Sequence, residues 1–271
     1  MKYKKSTTLF GIVAVALILA ACDSDSGNNS SVSEVESSSS IEFSSSSEQL
    51  NSSSGLSSSS VGISSSSSVE TCTNTYGTNT VTDCRDNQTY MTVTIGTQTW
   101  MAENLNYAVD SSWCYENSVD NCAKYGRLYQ WASAMDIDSA YNSATWGGSN
   151  ANHQGICPDG WHVPWSSEWA TLENYVGGSD NAGTYLKATS DWYDDGNDDN
   201  NAIDAYGFSA LPGGDYRSNF GGVVGFLGDW WTATEYGSMR AYYRYMGYEY
   251  TDVYTDEGSK TYGLSLRCLK N

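Results

Sequence analysis

Residues 72–271 predict an α+β domain with two main helices and an antiparallel sheet, placed behind a disordered serine-rich tether. Three observations carry that reading. A run of alternating threonines closes at Gly96, two apolar stripes recur at helical spacing, and the last third is rich in Gly, Tyr and Trp with strand alternation but few helix signals.

In chain order, Lys2, Lys4 and Lys5 precede an uncharged apolar run from Leu9 to Ala21. A membrane span needs about 20 apolar residues, so this run is too short. It reads instead as the apolar part of a signal peptide over residues 1–21. It ends in Leu19-Ala20-Ala21-Cys22, which resembles a bacterial lipoprotein lipobox. The resemblance implies a lipidated Cys22 as the first mature residue and attachment to the membrane through that lipid. The expected location is the outer membrane, surface-exposed, with the leaflet left open. The rival reading is a secreted protein in which Cys22 is incidental.

Residues 22–71 form the lipidated cysteine and its tether. From Asp23 to Glu70 the chain carries 25 serines in 48 residues, with only scattered apolar residues between the serine blocks. Such a segment buries too little apolar surface to offset the entropy of ordering it. A flexible chain of this length spans about 35 to 42 Å on average. That holds a domain clear of its anchor.

The domain of residues 72–271 is long enough for one sizeable core. Without Lys2, Lys4 and Lys5, the 13 basic residues fall to 10 against 32 acids, a formal charge of −22 for the mature chain. This makes nucleic acid and anionic lipid headgroups poor partners and leaves neutral polymers and cations possible. With Cys22 assigned to lipid, six cysteines remain in an exported domain, and an even number there implies disulfides. The preferred pairing is Cys72–Cys84, Cys114–Cys122 and Cys157–Cys268, one of about 15 possible sets. The first two close short loops and the third ties the middle of the domain to its last strand. Metal ligation is the weaker alternative, since there is no C-x-x-C pair and only His153 and His162 are available.

Thr89 to Trp100 alternates Met91, Val93 and Ile95 against threonines before Gly96, which predicts a hairpin. Tyr125 to Met135 places Leu128, Trp131, Ala132 and Met135 on one stripe and predicts the first helix. Trp165 to Val176, with Trp169, Leu172 and Val176 aligned and Gly177-Gly178 behind, predicts the second. Between them, Pro158-Asp159-Gly160 is a turn and Trp161-His162-Val163 a short strand. His162 lacks a partner at catalytic spacing and reads as structural. Strand candidates in the last third are Trp230 to Thr234, Met239 to Met246, Asp252 to Thr255 and Leu264 to Leu269.

Six blocks agree with one family: "TVTIGTQTWMAENLNY", "YGRLYQWASAM", "GICPDGWHVPWSSEW", "YGFSALPGGDYR", "WWTATE" and "YGLSLRCLK". In this order, over about residues 84 to 271, they resemble the Fibrobacter succinogenes major paralogous domain, a family whose resemblance implies no defined activity. "GWHVP" followed by a helix, "WW" and "GLSLRC" also look like the C-type lectin-like fold of the formylglycine-generating sulfatase-modifying enzymes. That likeness implies paired first and last strands, two flanking helices and a long irregular region, here about Asp191 to Trp231, that carries ligand sites. The chain departs from it at Trp165, where a capping threonine is usual, so the cap is expected at Ser166 or Ser167. It also lacks the lectin motifs E-P-N and W-N-D, and every domain cysteine has an expected disulfide partner, whereas those enzymes need a reactive cysteine pair.

Two candidate sites emerge. Asp195, Asn197 and Asp199 match the alternating start of a calcium loop, although Asn200 replaces the turn glycine and Tyr206 the bidentate acid. The alternative is a solvated acidic turn. Tyr243 and Tyr245, among the tyrosines crowding one predicted hairpin, are the expected ligand-binding rings, because ring faces stack on sugars. The 10 tryptophans and 21 tyrosines exceed what such a core readily buries. Catalytic motifs are missing: there is no G-x-S-x-G, H-E-x-x-H or Walker loop, and the spacing of Glu103, Glu168 and Glu235 pairs none of them. The expected function is therefore a lipid-anchored cell-surface binding module contacting a polysaccharide or a surface protein, with calcium as the one cofactor in view. The rivals are an enzyme on the sulfatase-modifier scaffold and a purely structural surface protein.

Overall fold

A computed structural model describes residues 72–148, 152–194, 196 and 201–271. The expected leader, Cys22 and tether, and the candidate calcium-binding residues Asp195, Asn197 and Asp199, lie outside the described residues. No helix among the described residues is long and apolar enough to cross a membrane.

The elements run β1 (Thr75–Gly77), β2 (Thr80–Thr82), β3 (Thr89–Ile95), β4 (Gln98–Met101), β5 (Ser112–Trp113), α1 (Val119–Tyr125), β6 (Leu128–Tyr129) and α2 (Trp131–Ala134). They continue through β7 (Trp161–His162), α3 (Ser166–Tyr175), α4 (Ser179–Leu186), β8 (Leu227–Glu235), β9 (Arg240–Gly247), β10 (Tyr254–Ser259), β11 (Leu264–Ser265) and β12 (Leu269–Lys270). The class is α+β, but the strands form two sheets instead of one, ordered β1-β2-β3-β4-β12-β7 and β10-β9-β8-β11-β6-β5. Neighbours pair antiparallel except β11 with β8.

The hairpin β3–β4 forms where the threonines alternate, turning through Gly96, and Thr94 and Thr99 hydroxyls meet across it at 3.0 Å. The helix expected over Tyr125–Met135 is broken. Gly126, at φ +75°, ends α1, and a Cβ there would stand 2.7 Å from the Asn104 Cβ and 2.8 Å from the Leu105 carbonyl oxygen. Leu128 and Tyr129 then pair as a strand with β5 and β11, and only Trp131–Ala134 is helical. Leu128, Trp131, Ala132 and Met135 are all buried nonetheless. A strand entering the core and a short helix behind it produce the same apolar spacing as one helix.

The second expected helix is α3, but its cap is neither Ser166 nor Ser167. Trp165 takes that position, and the Glu168 carboxylate reaches back to accept its N–H at 2.8 Å. Ser166 is used elsewhere, its N–H donating to the Thr234 hydroxyl. A further helix, α4, follows Gly178 and buries Ala182 and Leu186. The final run from Leu264 to Leu269 is two short strands separated by Leu266–Cys268.

Two apolar clusters fill the domain. One gathers Trp131, Trp161 and Trp231, and the other Trp100, Trp169, Trp230 and Phe208. Adjacent residues Trp230 and Trp231 supply opposite faces of β8, as the two-residue period of a strand requires. Seven of the ten tryptophans are buried, at 5% exposure or less, so most of the tryptophan excess is core. Each buried ring removes enough surface from water for about 4 to 6 kcal/mol of gross transfer energy. Disulfides join Cys72 to Cys84, Cys114 to Cys122 and Cys157 to Cys268, with Cα separations of 5.6, 4.8 and 5.9 Å.

Three fully buried cations hold the stretches that lack strands. Lys187 donates to the carbonyls of Gly247, Tyr248 and Tyr250 at 2.8 to 3.1 Å, and burial lowers its pKa to about 8. Lys260 donates to the carbonyls of Tyr141, Ala144 and Ser238 and to Glu235. Arg267 donates to the Asn104 amide oxygen and to the carbonyls of Phe208 and Ser209, with its guanidinium 4.3 Å above the Phe208 ring. His162, also buried, lies between Asn271 at 2.7 Å and Glu168 at 3.0 Å, a structural placement.

Candidate functional site: an acid and tyrosine face on the second sheet

Strand register brings together residues that the sequence scatters. Tyr254 of β10 stands opposite Tyr245 of β9, which stands opposite Asp229 of β8. In the next row Asp256, Tyr243 and Trp231 align in the same way. Residues directly opposite in antiparallel strands share a face, so two acids and three tyrosines occupy one surface of the sheet.

The rings divide by depth. Tyr243 is buried, edge-on to Trp231 at 6.1 Å, and its hydroxyl donates to Asp256 at 3.2 Å. The expectation that its ring face meets solvent is thus corrected: its parity on β9 points it at the core tryptophan. Burial, reinforced by Asp229 and Asp256, drives its pKa upward. Tyr245 is half-buried and stacked on Tyr254 at 4.9 Å with planes 15° apart, and Tyr250 stands edge-on to Tyr254 at 5.4 Å. Hydrogen bonding to Asp252 raises Tyr254 to about 12. On the opposite face of β9, Arg244 pairs with Glu173 of α3 at 2.6 Å, and Tyr242 lies edge-on to Tyr236.

The loop before β8 covers the acid end of this face. Asp215 is buried, its Oδ1 accepting the Gly222 N–H at 2.7 Å and its Oδ2 accepting Nε of Arg217 at 2.7 Å. The close approach needs a residue without a side chain, because a Cβ on Gly222 would stand 2.8 Å from the Asp215 carboxyl carbon. Arg217 extends outward over the Tyr262 ring, 5.0 Å from its centre. Beneath it, Asp229 is buried beside Asp215, and its Oδ2 has no partner. Burial first, and then the Asp215 charge, push Asp229 up to about 8. Burial therefore favours the neutral form of Asp229 beside the Asp215–Arg217 ion pair.

The other candidate residues are occupied or apart. Among the described residues no group of three or more His, Cys, Asp or Glu is placed to hold a metal ion. Acids near the calcium-loop positions have internal partners: Asp191 pairs with Lys124, and Asp204 accepts from the Ser209 N–H and hydroxyl. Glu103 accepts the Met91 N–H, Glu168 bonds His162, and Glu235 bonds Lys260 and the N–H groups of Trp146 and Gly147. A groove of 530 Å3 between β3 and the loops after α4 is lined by Met91, Val93, Glu103, Asp204, Ser209 and Leu211. Its three lining acids, Glu103, Asp191 and Asp204, are thus already paired with protein groups.

Asp215, Arg217, Asp229, Asp256 and Tyr262 escape the sequence reading. One signal was available: in "GDWW" an acid shares strand parity with a core tryptophan, Asp229 with Trp231. The remaining residues converge only through the register of three strands and the fold of one loop. Residues 93–270, which contain all of them, match the Fibrobacter succinogenes major domain. No curated protein and no solved structure matches the chain.

Proposed function

We propose, for a chain that belongs to the Fibrobacter succinogenes major domain family, a role as a lipid-anchored cell-surface module that binds glycan through the acid and tyrosine face of β8 to β10. The carrying observation is the juxtaposition of the stacked Tyr245–Tyr254 pair with the exposed Asp256 on one side of the sheet. Ring faces cover the apolar side of a sugar, and a neighbouring exposed carboxylate accepts its hydroxyls. The finer fold assignment is C-type lectin-like. It is supported by β12 lying between β4 and β7, by α3 packed under β8 and β9, and by the long stretch between α4 and β8, which forms no strand of either sheet among its described residues.

The address belongs to the same proposal: residues 1–21 as signal peptide, Cys22 as lipid anchor, residues 22–71 as tether and 72–271 as the binding domain, in the outer membrane. Asp195, Asn197 and Asp199 are proposed as a calcium-responsive loop. Millimolar calcium should raise the melting temperature by mass action, and replacing Asp195 and Asp199 by Ala should erase the rise. All six domain cysteines are paired, which leaves the thiol-enzyme alternative without a nucleophile among the described residues.

The deciding experiment is a pull-down of the purified protein on a panel of polysaccharides with wild type and Tyr254→Ala. Loss of one stacked ring should weaken binding about 3- to 10-fold while the melting temperature holds. Failure of wild type to retain on any polysaccharide would sink the glycan reading.

A further inference from the structure

We infer that Arg217, positioned by Asp215, forms a carboxylate-binding subsite at the edge of the tyrosine face, so that the glycan bound there is an acidic, uronate-containing one. The inference rests on the glycan reading above and names its ligand class.

The guanidinium is oriented before any ligand arrives. Its Nε is held at 2.7 Å by a carboxylate that is itself buried and fixed by the Gly222 N–H, and the group lies over the Tyr262 ring. Its side chain is 45% exposed, and its two terminal nitrogens have no hydrogen-bond partner among the described residues. Those nitrogens form the planar fork that matches the two oxygens of a carboxylate, and pre-orientation lowers the entropy lost on pairing. Other basic side chains of the domain are committed differently. Lys187, Lys260 and Arg267 are buried, and Arg244 is closed in with Glu173.

The nearby acids leave the outer edge of the fork open. Asp215 offsets part of the guanidinium charge from the Nε side, Asp256 accepts from the Tyr243 hydroxyl, and burial favours the neutral form of Asp229. The negative charge of the whole chain opposes an anionic ligand at long range. At physiological ionic strength, however, charges more than about 8 Å apart are largely screened, whereas a bidentate contact acts within 3 Å or so. Tyr262 beside Arg217, with Tyr245 and Tyr254 farther along the same face, provides ring surface for the sugar that carries the carboxylate.

The test compares polygalacturonate with its fully methyl-esterified form, two polymers that differ in charge on the same backbone. Full-length protein in detergent is titrated with each, as wild type, Arg217→Lys and Arg217→Gln, beside a panel of neutral polysaccharides. Wild type should prefer the acid polymer at least about tenfold, Arg217→Gln should lose the preference, and Arg217→Lys should retain part of it. Equal affinity for acid and ester, or an Arg217→Gln protein that keeps the preference, overturns the subsite. Binding to neutral polysaccharides alone also overturns it while leaving the glycan reading intact. Binding to none removes both. The wild-type comparison stands even if Arg217→Gln, which strands a buried carboxylate, folds poorly.

Discussion

Replacing Asp229 by Asn should change the pH dependence of stability more than stability itself at low pH. Asp229 is buried on β8 beside Asp215 and carries an oxygen without a partner, and burial pushes it up to about 8, well above the usual carboxylate range. Below about pH 4 folded and unfolded chains both hold this proton, and the stabilisation that the raised pKa represents is fully present. Between about 4 and 8 the unfolded chain releases the proton while the folded one keeps it, so stability falls with rising pH by about 1.4 kcal/mol per unit for one proton. Over pH 5 to 8 that amounts to an order of 4 kcal/mol from this single group. Asparagine preserves shape and a donor to Asp215 but cannot titrate. With the two proteins matched near pH 4, the Asp229→Asn protein should accordingly exceed wild type by about 1.4 kcal/mol at pH 5 and progressively more toward pH 8. Urea unfolding at pH 5, 6, 7 and 8, with both proteins measured in the same buffers, reads the difference directly. Two parallel stability curves would refute the reasoning, because they would mean that Asp229 is already ionised in the folded state.

Removing the long disulfide by Cys157→Ala with Cys268→Ala should cost about 4 to 5 kcal/mol, given its separation of 111 residues, and calorimetry of the oxidised proteins measures the loss. Lys187→Met leaves the carbonyls of Gly247, Tyr248 and Tyr250 buried without their donor; destabilisation by at least about 2 kcal/mol is expected, and an unchanged urea midpoint would show that water replaces the ammonium. Cys22→Ala should abolish detergent partition and give soluble or unprocessed protein, and persistent acylation of the variant by mass spectrometry would remove the lipobox argument.

Legibility followed how local the determinants are. The β3–β4 hairpin is written in adjacent threonines, and α3 in a stripe bounded by Pro164 and Gly177, so both could be read without the rest of the chain. The cysteine pairs match the spacing argument, since two loops close locally and the third pair spans what remains. The segment from Tyr125 to Met135 failed because Leu128 and Tyr129 enter the core as a strand, while the apolar interval to Trp131 and Met135 also fits a helix. Tyr243 was misjudged from tyrosine density alone; pairing with Trp231 gives it an inward parity, and that pairing depends on a register set far away in sequence. Asp215 and Asp229 meet because the loop that begins near Gly213 folds back on β8, bridging Gly214 to Gly228, a contact invisible to any local pattern.

The twin tryptophans of β8 also leave a problem of registration that Asp229 solves. With Trp230 and Trp231 both buried on opposite sides, a slip of one residue would exchange two near-identical rings between the clusters and expose neither. Hydrophobicity there says that the strand is interior, yet barely says which way round it sits. The preceding acid breaks the symmetry. In the slipped strand its carboxyl would enter the apolar side occupied by Trp100, Trp169 and Phe208, away from Asp215 and Arg217, at the cost of a desolvated polar group. Asp229 thus acts as a keyway: an unfavourable residue in the correct alignment, and a prohibitive one in the nearest wrong alignment.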